Sequence, residues 1–203
     1  MNIRTIDCRG MACPQPVIET KKVIDSGSEK DILVIVDNAV ARENVSRLAK
    51  NAGCSINVKE QEGLFRLEIT LPDSKIISAA PEPEKTHGIS ETAGNVYFIT
   101  TNSIGQGSPD LGEVLMKSLM VALTQQAPPA ALLFLNTGVH LAIEGSPVLE
   151  QLQAMAGRGT EMLVCGTCLN YYKISEKLAV GVVSNMLEIN SWLTGPYKVI
   201  AVG

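Results

Sequence analysis

Hydrophobic and polar positions follow regular patterns in the first third of this 203-residue chain. We predict a short strand at 3–7 and a buried, fully apolar strand at 32–36, and each is followed by apolar residues at helical spacing, to about Ser26 and to Gly53. Apolar and polar residues alternate over 64–71, which predicts a hairpin that turns at Glu62-Gly63. The order β-α-β-α-β-β predicts an α+β two-layer sandwich, with two helices on a four-stranded sheet, for residues 1–71.

The rest of the chain divides at a change in character. Residues 72–94 contain three prolines among small and charged residues without an apolar period, which predicts a flexible linker. Beyond it, strands alternate with helices: we predict strands at 96–100, 131–135, 161–164 and 198–202, and helices at about 111–126, 147–156, 174–180 and 185–193. This alternation predicts a three-layer α/β/α domain with a mainly parallel sheet over 95–203, so the protein is α/β overall.

Composition and charge exclude several classes of protein. Apolar residues make up 45% of the chain, which argues against general disorder, and the net charge of −4 argues against nucleic-acid binding. Residues 118–143 contain no charged side chain, but prolines and glutamines interrupt them, so they predict helix, turn and strand rather than a membrane span. No apolar stretch follows the start of the chain, and all five cysteines are expected to be free thiols, which favours a cytoplasmic protein.

The two predicted domains differ in their density of charge. Residues 1–71 hold 20 charged side chains, whereas residues 95–203 hold only 12. The predicted helix at 111–126 also carries apolar residues on two faces. A soluble surface is normally more highly charged. We therefore predict a homo-oligomer that forms through the C-terminal domain.

Cys13 is the first candidate for chemistry. It stands directly before Pro14 and Pro16, which suit the first turn of a helix, so Cys13 is expected at the helix cap. The amides of Gln15 and Val17 would then be left to stabilise a thiolate. A thiol at that position should ionise more easily than a free thiol with a pKa of ~8.5. The alternative is a small buried cysteine that happens to precede a turn.

The residues around Cys13 match a known pattern. The segment resembles the TusA/SirA-type sulfur-carrier family at Asp7, Arg9, Gly10, Cys13, Pro14, Pro16 and Lys21. In that family the cysteine before the first proline carries a persulfide, so the resemblance implies this role for Cys13. Arg9 is expected either to stabilise the Cys13 thiolate or to pair with Asp7, and both interpretations stay open.

A second candidate, Cys165-Gly166-Thr167-Cys168, lies at the end of a predicted strand. The pair fits half of a zinc site, but tetrahedral zinc needs four ligands and the sequence offers no second pair. It also fits a redox pair or disulfide switch, or a sulfur-transfer site in which one thiol receives sulfur and the other resolves it. A purely structural role for both cysteines is the remaining interpretation.

This segment, together with Asn136-Thr137-Gly138-Val139 after an earlier strand, resembles the DsrE-type sulfur-relay family. The two halves together resemble YedF-type proteins, a two-domain family linked to selenium metabolism. The resemblance implies homo-oligomers and a reactive cysteine in the C-terminal domain, with Cys165 favoured over Cys168.

The sequence as a whole predicts a carrier of persulfide sulfur, or of selenium. Cys13 would accept the atom from a cysteine desulfurase, and Cys165 or Cys168 would relay it to an unknown acceptor. Neither a cofactor nor a metal is expected. Two alternatives remain: a thiol–disulfide redox protein or sensor that uses Cys165 and Cys168, and a non-catalytic oligomeric binding module.

Overall fold

The computed structural model describes residues 3–72 and 94–203, which form two compact units. We call them the N-terminal unit and the C-terminal unit. The predicted linker at 72–94 falls almost entirely on residues 73–93, which lie outside the described residues. Each unit is therefore described by itself.

The N-terminal unit is the predicted two-layer sandwich. Its sheet has the strand order β1-β2-β4-β3, in which β1 pairs with β2 in parallel and the other neighbours pair antiparallel. Helices α1 and α2 pack against each other and help to enclose its core. The elements are β1 Ile3–Asp7, α1 Gln15–Ser26, β2 Asp31–Val36, α2 Ala39–Asn51, β3 Ser55–Gln61 and β4 Leu64–Thr70.

Local sequence explains the start of α2 and the turn between β3 and β4. Asn38 caps α2, since its side chain accepts a hydrogen bond of 2.8 Å from the Ala41 amide. The hairpin turn between β3 and β4 places Glu62 and Gly63 at φ of 55° and 75°. Left-handed values at both central residues match the twist of the flanking strands, which is why a glycine follows Glu62.

The C-terminal unit contains a five-stranded sheet in the order β8-β7-β6-β5-β9, and every pair is parallel. Helices α3 and α4 pack against each other, and for the return connection from β8 to β9 the right-handed crossover rule places α6 on the opposite face of the sheet. This confirms the predicted architecture. The elements are β5 Asn95–Ile99, α3 Pro109–Thr124, β6 Ala131–Phe134, α4 Leu149–Gly157, β7 Glu161–Cys165, α5 Gly166–Tyr171, β8 Val182–Ser184, α6 Met186–Leu193 and β9 Lys198–Val202.

The helix predicted at 174–180 is wrong. Only a single 3₁₀ turn, Ser175–Lys177, forms there, and a short strand follows at β8. The amides of Ala179 and Val180 donate to the Ala142 carbonyl, at 2.9 and 3.2 Å, instead of to the preceding turn. Tertiary hydrogen bonds thus replace the helical ones in this segment. A second 3₁₀ segment, Asn136–Ala142, follows β6.

Among the described residues, no helix is both long enough and apolar enough to cross a lipid bilayer. The uncharged stretch at 118–143 contains the end of α3, the turn and β6, as the sequence predicts.

Candidate functional site

Cys13 lies half-buried in the loop between β1 and α1. Two hydrogen bonds tie this loop to the neighbouring strand β2 and the residue that follows it. The Cys8 amide donates to the Ile35 carbonyl at 2.9 Å, and the Gly10 amide donates to the Asp37 carboxylate at 2.6 Å. Gly10 has a φ of 71°, a backbone conformation that glycine adopts without steric cost. The loop that presents Cys13 is therefore anchored at both of these points.

Arg9 pairs with Asp7. Its Nε lies 2.9 Å from Asp7 Oδ1, and its Nη2 lies 2.5 Å from Asp7 Oδ2. These hydrogen bonds lower the pKa of Asp7 to about 2 and raise that of Arg9. Both side chains are about half exposed, so solvent screens the pair and it adds little to stability. Of the two roles considered for Arg9, the structure shows the pairing with Asp7.

The expected position of Cys13 at the helix cap is wrong by one residue. Pro14 is the N-cap of α1, and the peptide bond between Cys13 and Pro14 is cis. The Gln15 amide donates to the Ala12 carbonyl at 2.8 Å, and the Val17 amide donates to the Pro14 carbonyl at 3.0 Å. Because these tight turns already use both amides, neither is left for the Cys13 sulfur.

Asn44 of α2 contacts the sulfur instead. Its Nδ2 lies 4.0 Å from Cys13 Sγ, a distance compatible with a weak N–H···S hydrogen bond. The side chain is buried, with 2% of its surface exposed. Sequence reasoning missed this residue. The available signal was its helical spacing from Ala41 and Leu48, which places a polar side chain on the apolar stripe of α2.

The second thiol pair lies at the carboxyl end of the parallel sheet. Cys165 is the last residue of β7 and is buried, whereas Cys168 lies half-buried in α5. The backbone N–H of Asn136, which follows β6, donates to Cys168 Sγ at 3.1 Å. Adjacent strand ends therefore bring the two C-terminal segments of the sequence pattern together, as expected for an open parallel sheet.

The surroundings of Cys168 hold its thiol in the protonated form. Burial, with a smaller contribution from the Cys165 side chain, raises the pKa of Cys168 to about 11. The Asn136 N–H acts in the opposite direction, because it stabilises a thiolate. The arrangement combines a protonated resting thiol with a donor aimed at its sulfur.

A short polar chain extends from this pair. The Tyr172 hydroxyl donates to Asn136 Oδ1 at 2.8 Å, and the Tyr172 ring lies 4.8 Å from the His140 ring. Asn136 has a φ of 46°, unusual for a residue other than glycine, and its backbone N–H contacts Cys168 in that conformation. Tyr172 was not among the residues expected from the sequence.

Separate family models match the N-terminal and the C-terminal unit. A model described as sulfurtransferase TusA matches residues 4–71, and one described as the DsrE/DsrF-like family matches residues 95–202. A proposed sulfur carrier protein of Methanocaldococcus jannaschii is 36% identical over 69 residues, which cover 33% of this chain and 92% of that protein. The chain belongs to the TusA and DsrE/DsrF-like families. A TusA-type unit and a DsrE-type unit are therefore fused in one chain, which supports a role in carrying or transferring sulfur.

Two solved structures are similar to parts of the chain. A SirA-like protein from Desulfitobacterium hafniense is 33% identical and covers 34% of this chain and 96% of its own, with a TM-score of 0.32. The ychN protein from E. coli is 18% identical and covers 53% of this chain and 98% of its own, with a TM-score of 0.40.

Within residues 3–72 and 94–203, the side chains of His, Cys, Asp and Glu form no group of three that could hold a metal ion. Cys8 and Cys54 are buried in the core of the TusA-type unit, and burial raises the pKa of each. The candidate residues thus form two thiol sites, one in each unit.

Gly138 supports the second site, and we expect Gly138→Ala to disturb it. A Cβ at this position would lie 2.5 Å from the Ile99 carbonyl oxygen, so the backbone after β6 would have to move. We expect a loss of about 3 kcal/mol in the free energy of unfolding. Denaturant titration of Trp192 fluorescence measures this, since the single tryptophan lies in the C-terminal unit. Gly157→Ala meets no atom within 4 Å and is the matched control. Equal stability of the two variants would contradict the prediction.

Proposed function

We propose that Cys13 carries a sulfur atom as a persulfide. The observation that supports this most directly is the placement of the three cysteines of the N-terminal unit. Cys8 and Cys54 are buried in the core, whereas Cys13 is half-buried in a loop anchored by Asp37 and faces a buried amide. Supporting roles go to Asp7 and Arg9, which pair, and to Gly10, which anchors the loop. Pro14, the N-cap of α1, and Pro16 in its first turn also support the site.

The transfer step balances without an oxidant or a reductant. The Cys13 thiolate attacks the terminal sulfur of a donor persulfide, which we propose is carried by a cysteine desulfurase. The bond from Cys13 Sγ to that sulfur forms, and the donor's sulfur–sulfur bond breaks. The donor cysteine leaves as a thiolate and takes up a proton. A donor that carries selenium would yield Cys13–S–SeH by the same displacement.

The C-terminal unit supplies a second thiol site. We place the receiving role on Cys168 rather than on Cys165, which the sequence favoured, because Cys165 is only 5% exposed and Cys168 is half-buried. The Asn136 N–H aimed at Cys168 Sγ would stabilise negative charge on that sulfur. Cys165, which ends β7, is the resolving thiol in this proposal: its attack on Cys168 Sγ of the persulfide would form a Cys165–Cys168 disulfide and release hydrosulfide.

A tether would make this relay efficient. If residues 72–94 form the predicted flexible linker, 23 residues span roughly 25 Å and give an effective concentration on the order of millimolar. Transfer within one chain and transfer between subunits of an oligomer both satisfy this arrangement.

Intact-protein mass spectrometry tests the proposal. The protein is incubated with a cysteine desulfurase and cysteine, and its intact mass is then measured in the absence of reductant. A mass gain of one sulfur atom is the expected result, and treatment with dithiothreitol should remove it. Absence of any gain, with a desulfurase shown to load another acceptor, would reject the carrier function.

A thiol–disulfide function is the second candidate, because two free cysteines three positions apart lie in one site, Cys165 at the end of β7 and Cys168 in α5. Oxidation of the pair would form a sulfur–sulfur bond and release two electrons and two protons to a disulfide such as oxidised glutathione. A reduction potential near that of cellular glutathione would support it. A pair that stays reduced in excess oxidised glutathione would exclude it.

We further propose that α3 binds a second copy of this chain. Its exposed surface carries a row of apolar side chains whose exposures range from 42% to 60%: Leu111, Val114, Leu115 and Val121. Residues 95–203 contain only 12 charged side chains, so the surface of this unit is less charged than that of a typical soluble monomer. The row is therefore suited to burial against the same row of another subunit.

Val114→Glu should weaken that association. Val114 is the most exposed residue of the row, at 60%, and a carboxylate there would have to be desolvated in the interface. Static light scattering at micromolar protein should show a lower mass for this variant than for the wild type. Gln153→Glu places the same residue at an exposed position of α4 and should leave the mass unchanged. A wild-type mass equal to that of one chain would contradict the proposal.

A further inference from the structure

The Asn44 side chain is only half satisfied. Its Nδ2 lies 4.0 Å from Cys13 Sγ, and its Oδ1 is buried with no hydrogen-bond partner among the residues that the structure describes. Buried polar atoms are almost always paired, because an unpaired one loses its hydration without compensation. An apolar side chain of the same size would avoid that loss, so stability alone does not account for an asparagine here.

Apolar residues flank Asn44 on the buried stripe of α2, which makes a buried asparagine at this position unusual. On the same helix, Ala41, Val45 and Ala49 are buried in the apolar core. Asn44 is the polar member of this stripe that reaches the Cys13 loop. Its amide is held by α2, whose N-terminus is fixed by the Asn38 cap, and the loop is tied to Asp37 beside that cap. The helix and the loop therefore share an anchor, which keeps the amide and the sulfur at a set separation.

An amide N–H beside sulfur favours the form of the sulfur that carries more negative charge. A thiolate accepts a hydrogen bond from N–H more strongly than a neutral thiol does. The sulfur of Cys13 meets this donor on its buried side, where the lower dielectric strengthens the interaction. The amides of Gln15 and Val17, which might have acted in this way, are already used in turns.

We infer that Asn44 is a positioning residue that activates Cys13: its side-chain amide donates to the sulfur, favours the thiolate and orients it for attack on a donor persulfide. The inference rests on the proposed function of Cys13 and adds a group that favours its thiolate. The unpaired Oδ1 is the cost in stability of holding that donor in the core.

Asn44→Leu separates this role from a structural one. The variant keeps a similar volume and removes both the donor and the unpaired oxygen. We expect the rate of Cys13 alkylation by iodoacetamide at pH 7 to fall about 10-fold, with the midpoint of its pH profile about one unit higher. Hydrogen exchange of α1 and α2 should be unchanged or slower, which indicates equal or greater stability. Peptide-level mass spectrometry of the full chain resolves Cys13 from the other four cysteines.

Two further variants make the result decisive. Ser46→Ala changes a nearly buried polar residue on the same helix and should leave the alkylation rate of Cys13 unchanged. Asn44→Asp keeps the shape but replaces the donor with a negative charge, so it should slow alkylation at pH 7 more than Asn44→Leu does. Asn44→Leu could slow alkylation of Cys13 and also speed hydrogen exchange of α2. In that case the inference requires that Asn44→Asp slow the alkylation while α1 and α2 keep their protection from exchange.

The outcomes distinguish this inference from the proposed function. An unchanged alkylation rate and pH profile of Cys13 in both Asn44 variants would overturn the inference. Faster hydrogen exchange of α2 in Asn44→Leu, together with normal alkylation of Cys13, would also overturn it, because that result indicates a structural role for Asn44. If the wild type failed to load sulfur and the Asn44 variants still slowed alkylation, the carrier function would fall while the activation of Cys13 by Asn44 stood.

Discussion

Cys13→Ala is expected to abolish sulfur loading of the N-terminal unit. The attacking atom in the proposed displacement is Cys13 Sγ, and alanine removes it without adding volume to the loop. The mass gain of one sulfur after incubation with a cysteine desulfurase and cysteine should therefore disappear. Intact-protein mass spectrometry measures it, and the retained hydrogen-exchange protection of α1 shows that the unit remains folded.

The other two cysteines of that unit are the matched controls. Cys8 and Cys54 are buried, and burial raises the pKa of each thiol, so neither should compete as a nucleophile. Cys8→Ala and Cys54→Ala should load sulfur as the wild type does, with some loss of stability from the small cavity. Loading that persists in Cys13→Ala but disappears in either of these variants would move the carrier role to a different cysteine.

The same experiment examines the relay. A second mass gain that is absent in Cys168→Ala would place the next sulfur on Cys168, and one that is absent only in Cys165→Ala would place it on Cys165. Full loading and release in both variants would support the alternative of a non-catalytic, oligomeric C-terminal unit.

Cys168 is expected to react about 100-fold more slowly with iodoacetamide at pH 7 than an unperturbed cysteine does. Burial and the Cys165 side chain raise its pKa to about 11, more than two units above the ordinary thiol value of about 8.5, so few thiolates are present at neutral pH. The rate should rise about tenfold for each pH unit up to about pH 11, because only the thiolate reacts. Peptide-level mass spectrometry across a pH series measures this profile.

Cys165→Ala gives the corresponding control. Removal of the Cys165 thiol eliminates a hydrogen bond that raises the pKa of Cys168, while the Asn136 N–H that lowers it remains. The profile of Cys168 should therefore move to lower pH, and its alkylation at pH 7 should become faster. A wild-type profile centred near pH 8.5 would contradict the prediction and would indicate a thiol that is reactive at rest.

The periodic patterns of the sequence determined both architectures. Strands β2 and β6 are continuous apolar runs with turn residues on either side, and α2 has nearly ideal helical spacing, so local preference and tertiary packing agree. The prediction of a helix at 174–180 was wrong because amides of this segment donate hydrogen bonds to the carbonyl of Ala142, a residue more than thirty positions away. Periodicity within a short window contains no information about such a partner.

The candidate thiols were also evident from the sequence, since the pattern around Cys13 and the Cys165–Cys168 spacing are local. What surrounds each sulfur was not. Cys13 is contacted by Asn44, 31 residues away, and Cys168 by Asn136, 32 residues away, because the chain turns back between these positions. The sequence by itself determined which thiols are candidates for reaction. Only the tertiary structure decided which donors meet them and how deeply they are buried, since hydrogen bonding and desolvation depend on neighbours that folding brings together.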